Sequence, residues 1–237
     1  MSYLAPTYKL LSVIVPVYNE RNTVVEVLRR IRATELPLAH EVIVVNDGST
    51  DGTAKVLAAL EDSTVRICTH ERNRGKGAAI RTGLEKAHGD LVLICDADLE
   101  YDPDDWPKLL DPVLKGKARV VYGSRFTGER KNMGLGAWVG NRLLVFVANV
   151  LYRTTLSDIE TCSKLLDRAV LDDIELESDG FEFEPEITAK LLGSGQRIYE
   201  VPISYAGRES SEGQKFHWPD WGRALFTLVR YGVRQRG

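Results

Sequence analysis

Residues 89–103 read GDLVLICDADLEYDP. Leu91–Cys95 is an apolar run without alternation, the pattern of a strand buried on both faces. It ends at Asp96-Ala97-Asp98, where a small residue separates two carboxylates. A strand that stops this way aims carboxylates at a point in solvent. Hard oxygen ligands of this kind suit Mg²⁺ or Mn²⁺, which also bridge diphosphate oxygens. Taken alone, the pair also reads as two solvated loop acids. Its context argues for the metal.

Outward from this stretch, β-branched runs recur at Ser12–Val17, Glu41–Val45, Val65–Thr69 and Arg119–Tyr122. Between them Asn22–Ala33, Thr53–Leu60, Gly77–Ala87 and Asp104–Leu114 have helical spacing. Strand and helix in alternation imply parallel strands with right-handed crossovers. Residues 1–125 therefore read as a Rossmann-like α/β sheet, with ligands expected at the carboxyl ends of its strands. Farther on, Gly134–Arg153 predicts one or two helices and Phe181–Leu192 another. Gln196–Val201 predicts a short strand, and Trp221–Val233 a terminal helix. No repeat or low-complexity linker divides the chain, so one domain of 237 residues is expected. Residues 1–125 would form its donor half and 126–237 its acceptor half.

The composition narrows the possibilities. The net charge of -3 is not that of a nucleic-acid binder. Cys68, Cys95 and Cys162 are odd in number and form no CxxC pair, which opposes a disulfide framework or a zinc site and fits a reducing compartment. The apolar run Leu10–Val17 is too short for a signal core with a cleavage site. Leu143–Leu151 is far below the roughly 18 apolar residues that span a bilayer. His40, His70, His88 and His217 have no metal-ligand spacing and read as structural or solvent-facing.

Polar clusters fall where the sheet predicts them. Pro16-Val17-Tyr18-Asn19-Glu20 follows the first strand, Asn46-Asp47-Gly48-Ser49 the second, and Gly123-Ser124-Arg125 the fifth. Asp47 is placed to accept a hydrogen bond from a base N–H or a ribose hydroxyl. Asp51 and Thr53 read as turn and cap chemistry for the next helix. Arg72, Arg74 and Lys76 lead into a helix near Gly77, whose amino end would favour a phosphate. Arg125, Arg208 and Lys215 are further cations for a diphosphate or a second phosphate, the last two in a segment that reads as a mobile lid.

In order, SVIVPVYNE, VIVVNDGSTDGT, NRGKGAAIRTGLEKAHGD, DADLEYDP, VYGSRF, DIETCSKLLDR, FEFEPEI and YEVPISYAGR resemble family-two glycosyltransferases of the GT-A type. Within them the chain looks most like the dolichol-phosphate or polyprenyl-phosphate sugar synthases. The stretches run from residue 12 to 208. The resemblance implies a nucleotide-diphospho-sugar donor such as GDP-mannose or a UDP-hexose, a divalent metal, and an inverting transfer. It assigns Pro16, Tyr18, Glu20, Asp47 and Lys76 to the donor nucleotide. Asp96, Ala97, Asp98 and Glu100 fall on the sugar-diphosphate motif, with Asp96, Asp98 and Glu100 as metal ligands. Arg125, Arg142 and Lys215 would meet an acceptor phosphate, and Asp98, Arg125 and Arg208 would be catalytic. It further implies a peripheral protein on the cytosolic face of a membrane, with room for a membrane-embedded partner subunit. Two departures concern the acceptor: no Ser follows Arg142 at the usual spacing, and the loop from Arg208 to Lys215 is long.

The acceptor decides the mechanism. A phosphate monoester is already ionised at neutral pH, whereas a sugar hydroxyl needs a general base, for which Asp158 or Glu160 are the candidates. A hydroxyl-acceptor enzyme and a catalytically silent nucleotide-sugar-binding subunit are the competing readings. A nucleotidyltransferase is disfavoured, because PVYNE is not a glycine-rich loop. Finally, Trp221, Leu225, Leu228, Val229 and Gly232 form an apolar stripe opposite Arg223, Arg230 and Arg234. That pattern predicts a helix lying at an anionic bilayer surface.

Overall fold

The computed structural model describes residues 7–60, 62–208 and 218–234. Strands β1 (Leu10–Val17), β2 (Ala39–Asn46), β3 (Val65–Thr69), β4 (Leu91–Ile94) and β5 (Val120–Ser124) form as the apolar runs predict. Helices α1 (Val24–Ala33), α2 (Thr53–Ala58), α3 (Lys76–Lys86) and α4 (Trp106–Leu114) lie between them. After β5 come β6 (Arg130–Lys131), α5 (Leu135–Tyr152), β7 (Lys164–Asp167), α6 (Arg168–Asp172) and α7 (Phe183–Gly193). β8 (Ile198–Pro202), β9 (Tyr205–Ala206) and α8 (Trp218–Arg234) complete the chain.

Seven strands make one sheet in the order β3-β2-β1-β4-β7-β5-β8. It is mostly parallel, as expected, and β7 is the antiparallel member: it runs between β4 and β5, pairing Val92 with Leu166 and Val121 with Leu165. Every residue of β4, β5 and β7 is buried. Helices cover both faces, so these strands lack polar alternation. At about 1.5–3 kcal/mol for each fully buried large aliphatic or aromatic side chain, this centre supplies the main stabilisation. β5 touches β4 nowhere along the sheet order; β7 joins them. The expected donor half ending at residue 125 is thus not a closed sheet by itself.

A second cluster holds α5, α7 and α8 together. Leu144, Val145 and Ala148 of α5 meet Ala224, Leu228 and Tyr231 of α8, with Ala189 of α7 between them. The helices approach closely at Gly140, where a Cβ would lie 1.0 Å from the Trp221 indole. This corrects the bilayer expectation for the last helix. Its apolar stripe is spent on packing: Leu228 and Gly232 are buried, Trp221 and Leu225 half-buried, and only Val229 is exposed. Arg223 and Arg230 face outward, Arg230 over the Tyr231 ring; the Arg234 side chain lies outside the described residues. The exposed apolar surface belongs instead to α5. Leu135, Val139, Leu143, Phe146 and Val150 recur every three or four residues on its outer face, Leu135 at 76% and Phe146 at 65% exposure. Phe226 of α8 is exposed as well. Among the described residues no helix is long and apolar enough to cross a membrane.

Candidate active site

The carboxyl ends of β1, β2 and β4 open onto a cavity of about 710 Å³. Pro16, Tyr18 and Glu20 line it after β1, Asp47 after β2, and Asp96, Ala97, Asp98 and Glu100 after β4. Lys76, Arg125 and Arg208 complete the predicted set there. Two predicted residues are not brought in. Arg142 is exposed on α5, next to Leu143 on its outer side, and Lys215 lies outside the described residues.

Asp47 is buried and fully engaged. Its Oδ1 accepts from the Arg74 amide at 2.8 Å and contacts His70 Nδ1 at 2.7 Å, while Oδ2 accepts from the Gly75 amide at 2.8 Å. It therefore fixes the 70–75 turn against β2, and His70, held also by Thr82, is the structural histidine expected. Gly48 is needed at this contact. It has φ +64°, and a Cβ would come within 2.3 Å of the Arg72 backbone. Gly75, at φ +100°, likewise lets the Asp179 carbonyl approach within 2.3 Å of where a Cβ would be. That carbonyl accepts from the Ala78 amide at 3.1 Å. The amino end of α3 is thereby partly capped from within the protein, and Arg72 and Arg74 are exposed away from the cavity. The Ala78 amide is thus already engaged at the end where a phosphate was expected.

Lys76 turns inward. Its Nζ donates to Asp96 Oδ2 at 2.9 Å and lies 3.1 Å from Glu184 Oε1. Burial works against its charge, but Asp96 and Glu184 outweigh it and hold its pKa well above the ordinary lysine value. Glu184, on the first turn of α7, also accepts from Lys164, which is buried on β7 and capped by the Ile159 carbonyl at 3.1 Å. Lys164–Glu184–Lys76–Asp96 is a buried charge chain reaching the DAD motif. Neither Lys164 nor Glu184 was singled out from the sequence.

Asp98 is pushed up to about 7 by burial, then by the charges of Asp96 and Glu100. Glu100, expected as a third metal ligand, lines the same cavity and is held by two partners. Its Oε2 accepts from the Tyr205 hydroxyl at 3.0 Å and its Oε1 from the Arg208 amide at 3.0 Å. Among the described residues no group of three or more side chains is gathered to hold a metal. Glu100 anchors the segment after β9, setting Arg208 across the site. The Arg208 guanidinium donates to Glu20 Oε2 at 2.7 Å and to the Asp98 carbonyl at 3.1 Å.

On the other side Arg125 forms a two-pronged pair with Asp158, at 2.7 and 2.8 Å, and lies over the Tyr205 ring. Asp158 also accepts the Arg125 amide and is fully buried. Both its oxygens are taken, so it is not a free base. Glu160 lines the cavity, and burial, with the charge of Glu184 next in effect, pushes it from the ordinary 4.5 up to about 7. Asn141 of α5, Tyr101 and Trp221 of α8 also contribute to the wall. None of these three was marked from the sequence as a site residue; Trp221 was read only as part of the apolar stripe of the last helix.

A mostly parallel, helix-flanked sheet with carboxylates and cations at its carboxyl edge is the GT-A arrangement. The model of glycosyl transferase family 2 matches residues 12–174, and the chain belongs to that family. The polyprenol monophosphomannose synthase of Mycolicibacterium smegmatis is 32% identical over 98% of this chain and 89% of its own length. The low-salt glycan biosynthesis hexosyltransferase Agl6 of Haloferax volcanii is 32% identical over 96% of this chain, and the dolichol-phosphate mannosyltransferase of Pyrococcus furiosus 28% over 94%. The chain spans only 54% and 62% of those two relatives. Among solved structures, glucosyl-3-phosphoglycerate synthase of Mycobacterium tuberculosis superposes with a TM-score of 0.73 at 20% identity, covering 96% of this chain and 80% of that one. Mannosyl-3-phosphoglycerate synthase of Rubrobacter xylanophilus gives 0.72 at 23%, covering 96% and 74%. These establish a shared fold. The M. tuberculosis enzyme has been crystallised with UDP and either Mn²⁺ or Mg²⁺.

Proposed function

We propose that this chain is an inverting hexosyltransferase that moves a hexosyl group from a nucleoside-diphospho-sugar to a polyprenyl phosphate at a membrane surface. The observation that carries the reading is on α5. The helix that gives Asn141 to the cavity wall also bears the exposed row Leu135, Val139, Leu143, Phe146 and Val150. A small soluble acceptor has no use for that row. An isoprenoid phosphate would use both surfaces, its phosphate in the cavity and its chain along the helix. The names of the mycobacterial and Pyrococcus relatives point to the same acceptor class.

In this reading Pro16, Tyr18, Glu20 and Asp47 frame the donor nucleotide, and Asp96 and Asp98 face its diphosphate. Mg²⁺ or Mn²⁺ fits Asp98, with Asp96 beside it: burial and the charges of Asp96 and Glu100 disfavour the Asp98 carboxylate, and a cation would relieve that. Mg²⁺ is commonly held by one or two carboxylates plus substrate phosphates, so Glu100 is not required. When bound, the ion would stabilise charge on the departing diphosphate. Arg208, braced by Glu20 and the Asp98 carbonyl, adds a second positive charge there. Arg125, fixed by Asp158 and aligned over Tyr205, holds the acceptor phosphate in line with the anomeric carbon. A phosphate monoester has a second pKa of about 6 and is mostly dianionic at pH 7, so it attacks without a base. The protein would act peripherally, on the cytosolic face, alone or with a membrane-embedded partner.

The test is incubation with labelled GDP-mannose or UDP-glucose, Mg²⁺ or Mn²⁺, and polyprenyl phosphate, followed by organic extraction. Label should enter the organic phase only with lipid present. Label that stays aqueous with the lipid, yet moves to a soluble hydroxyl acceptor, overturns the reading.

A further inference from the structure

Glu160 lines the cavity but has no part in the mechanism above. Its Oε1 is buried and has no hydrogen-bond partner among the described residues. A buried carboxylate oxygen left without a donor is costly and calls for an explanation. The backbone that carries it is tied down. Its amide donates to Asn141 Oδ1 at 3.4 Å, and Asp158, two residues earlier, is fixed by Arg125. Asn141 in turn donates to the Ser157 carbonyl. The charges around Glu160 are mixed: Glu184 and Asp158 are negative, Lys164 and Arg125 positive. Lys164 is already committed to Glu184 and to backbone carbonyls, and Arg125 to Asp158. No donor among the described residues is placed for it, and because the side chain lines the cavity a bound ligand can bring one. A phosphate cannot supply it, since an anion against a carboxylate is repelled. A hydroxyl can.

We propose that Glu160 accepts a hydrogen bond from a hydroxyl of the transferred hexose and so selects the sugar. The inference rests on the donor and acceptor classes proposed above, because a polyprenyl phosphate brings no hydroxyl to this wall whereas a hexose brings several. A hydroxyl-bearing acceptor is the other source of the same chemistry, and there Glu160 would be a general base.

Donor binding without any acceptor separates these cases. Calorimetric titration of the full chain with GDP-mannose and GDP, and with UDP-glucose and UDP, all with Mg²⁺, isolates what the sugar adds. In Glu160→Ala, affinity for the nucleotide-sugar that the wild type binds should fall roughly 10- to 100-fold, the range for a hydrogen bond to a charged group. Affinity for the matching free nucleoside diphosphate should stay within about twofold, because Glu160 would not touch it. Glu160→Gln, which keeps a carbonyl acceptor, should recover part of the loss. Equal nucleotide-sugar affinity in wild type and Glu160→Ala overturns the inference. So does an equal loss for the free diphosphate, which would mark a structural role. Unchanged donor binding with transfer to a hydroxyl acceptor reduced about 100-fold also overturns it, and makes Glu160 a base. Because the titration needs no lipid, a failed lipid assay leaves this result standing. A wild type that binds neither nucleotide-sugar defeats the proposed function, and the inference with it.

Discussion

Asp158 and Glu160 are two residues apart on one loop and meet opposite environments. Asp158 gives both oxygens to Arg125, while one oxygen of Glu160 has no partner among the described residues. Between pH 4.5 and about 7 the folded chain holds a proton on Glu160 that the unfolded chain has released. The folded state binds more protons there, so this contribution to stability is complete below pH 4.5 and lost as pH rises through 7. Glu160→Gln abolishes the titration. Its melting temperature relative to wild type should therefore be higher at pH 8 than at pH 5, and an equal difference at both values would refute the assignment. Asp158→Asn has another consequence. It strands a buried Arg125, which should cost about 3–5 kcal/mol in urea unfolding. Any turnover that remains should show a raised KM for the acceptor with little change in that for the donor. Loss of activity in that variant is thus no sign of a general base. Arg125 and Asp98 were legible in the sequence because strand ends place them. Lys164 was not: a lysine next to Leu165-Leu166 reads as the end of a strand in water, and only the Glu184 partner, twenty residues later, explains its burial.

At the scale of elements, period and composition located the strands and helices, but not which helix face stays bare. In α8 the apolar stripe is largely consumed by packing on α5 and α7, which amphipathicity alone did not reveal. The close approach at Gly140 sets how α8 sits. Gly140→Ala forces the Trp221 ring aside and should cost about 1–3 kcal/mol in chemical denaturation. In a Trp221→Ala background the same substitution should cost far less, and additivity would show that the contact does not limit the packing. The bare face of α5 makes a second prediction. Leu143→Asp with Phe146→Asp should sharply reduce co-sedimentation with anionic vesicles while leaving nucleoside-diphosphate affinity unchanged. Arg223→Gln with Arg230→Gln should matter less. The reverse ranking would return the bilayer contact to α8.

Across the whole molecule, the parallel part of the sheet was legible because its strands alternate with helices in chain order. β7 was not, since Lys164–Asp167 has only two apolar residues and flanking charges. That strand also imposes an order on synthesis. When a ribosome has released residues 1–125, β4 and β5 both exist, yet the segment that joins them has not been made. The nascent chain then exposes the β4 edge of a four-stranded ribbon and an unpaired β5, the condition that invites misassembly and chaperone capture. Expressed alone, residues 1–125 should show no cooperative thermal transition, whereas the full chain should. Long-range closure by a late strand also raises the mean sequence separation of contacts, which slows folding. Late arrival of β7 thus couples two events: the same four residues that close the sheet deliver Lys164 to Glu184, so the charge chain behind Asp96 is assembled only when the polypeptide has committed to its final topology.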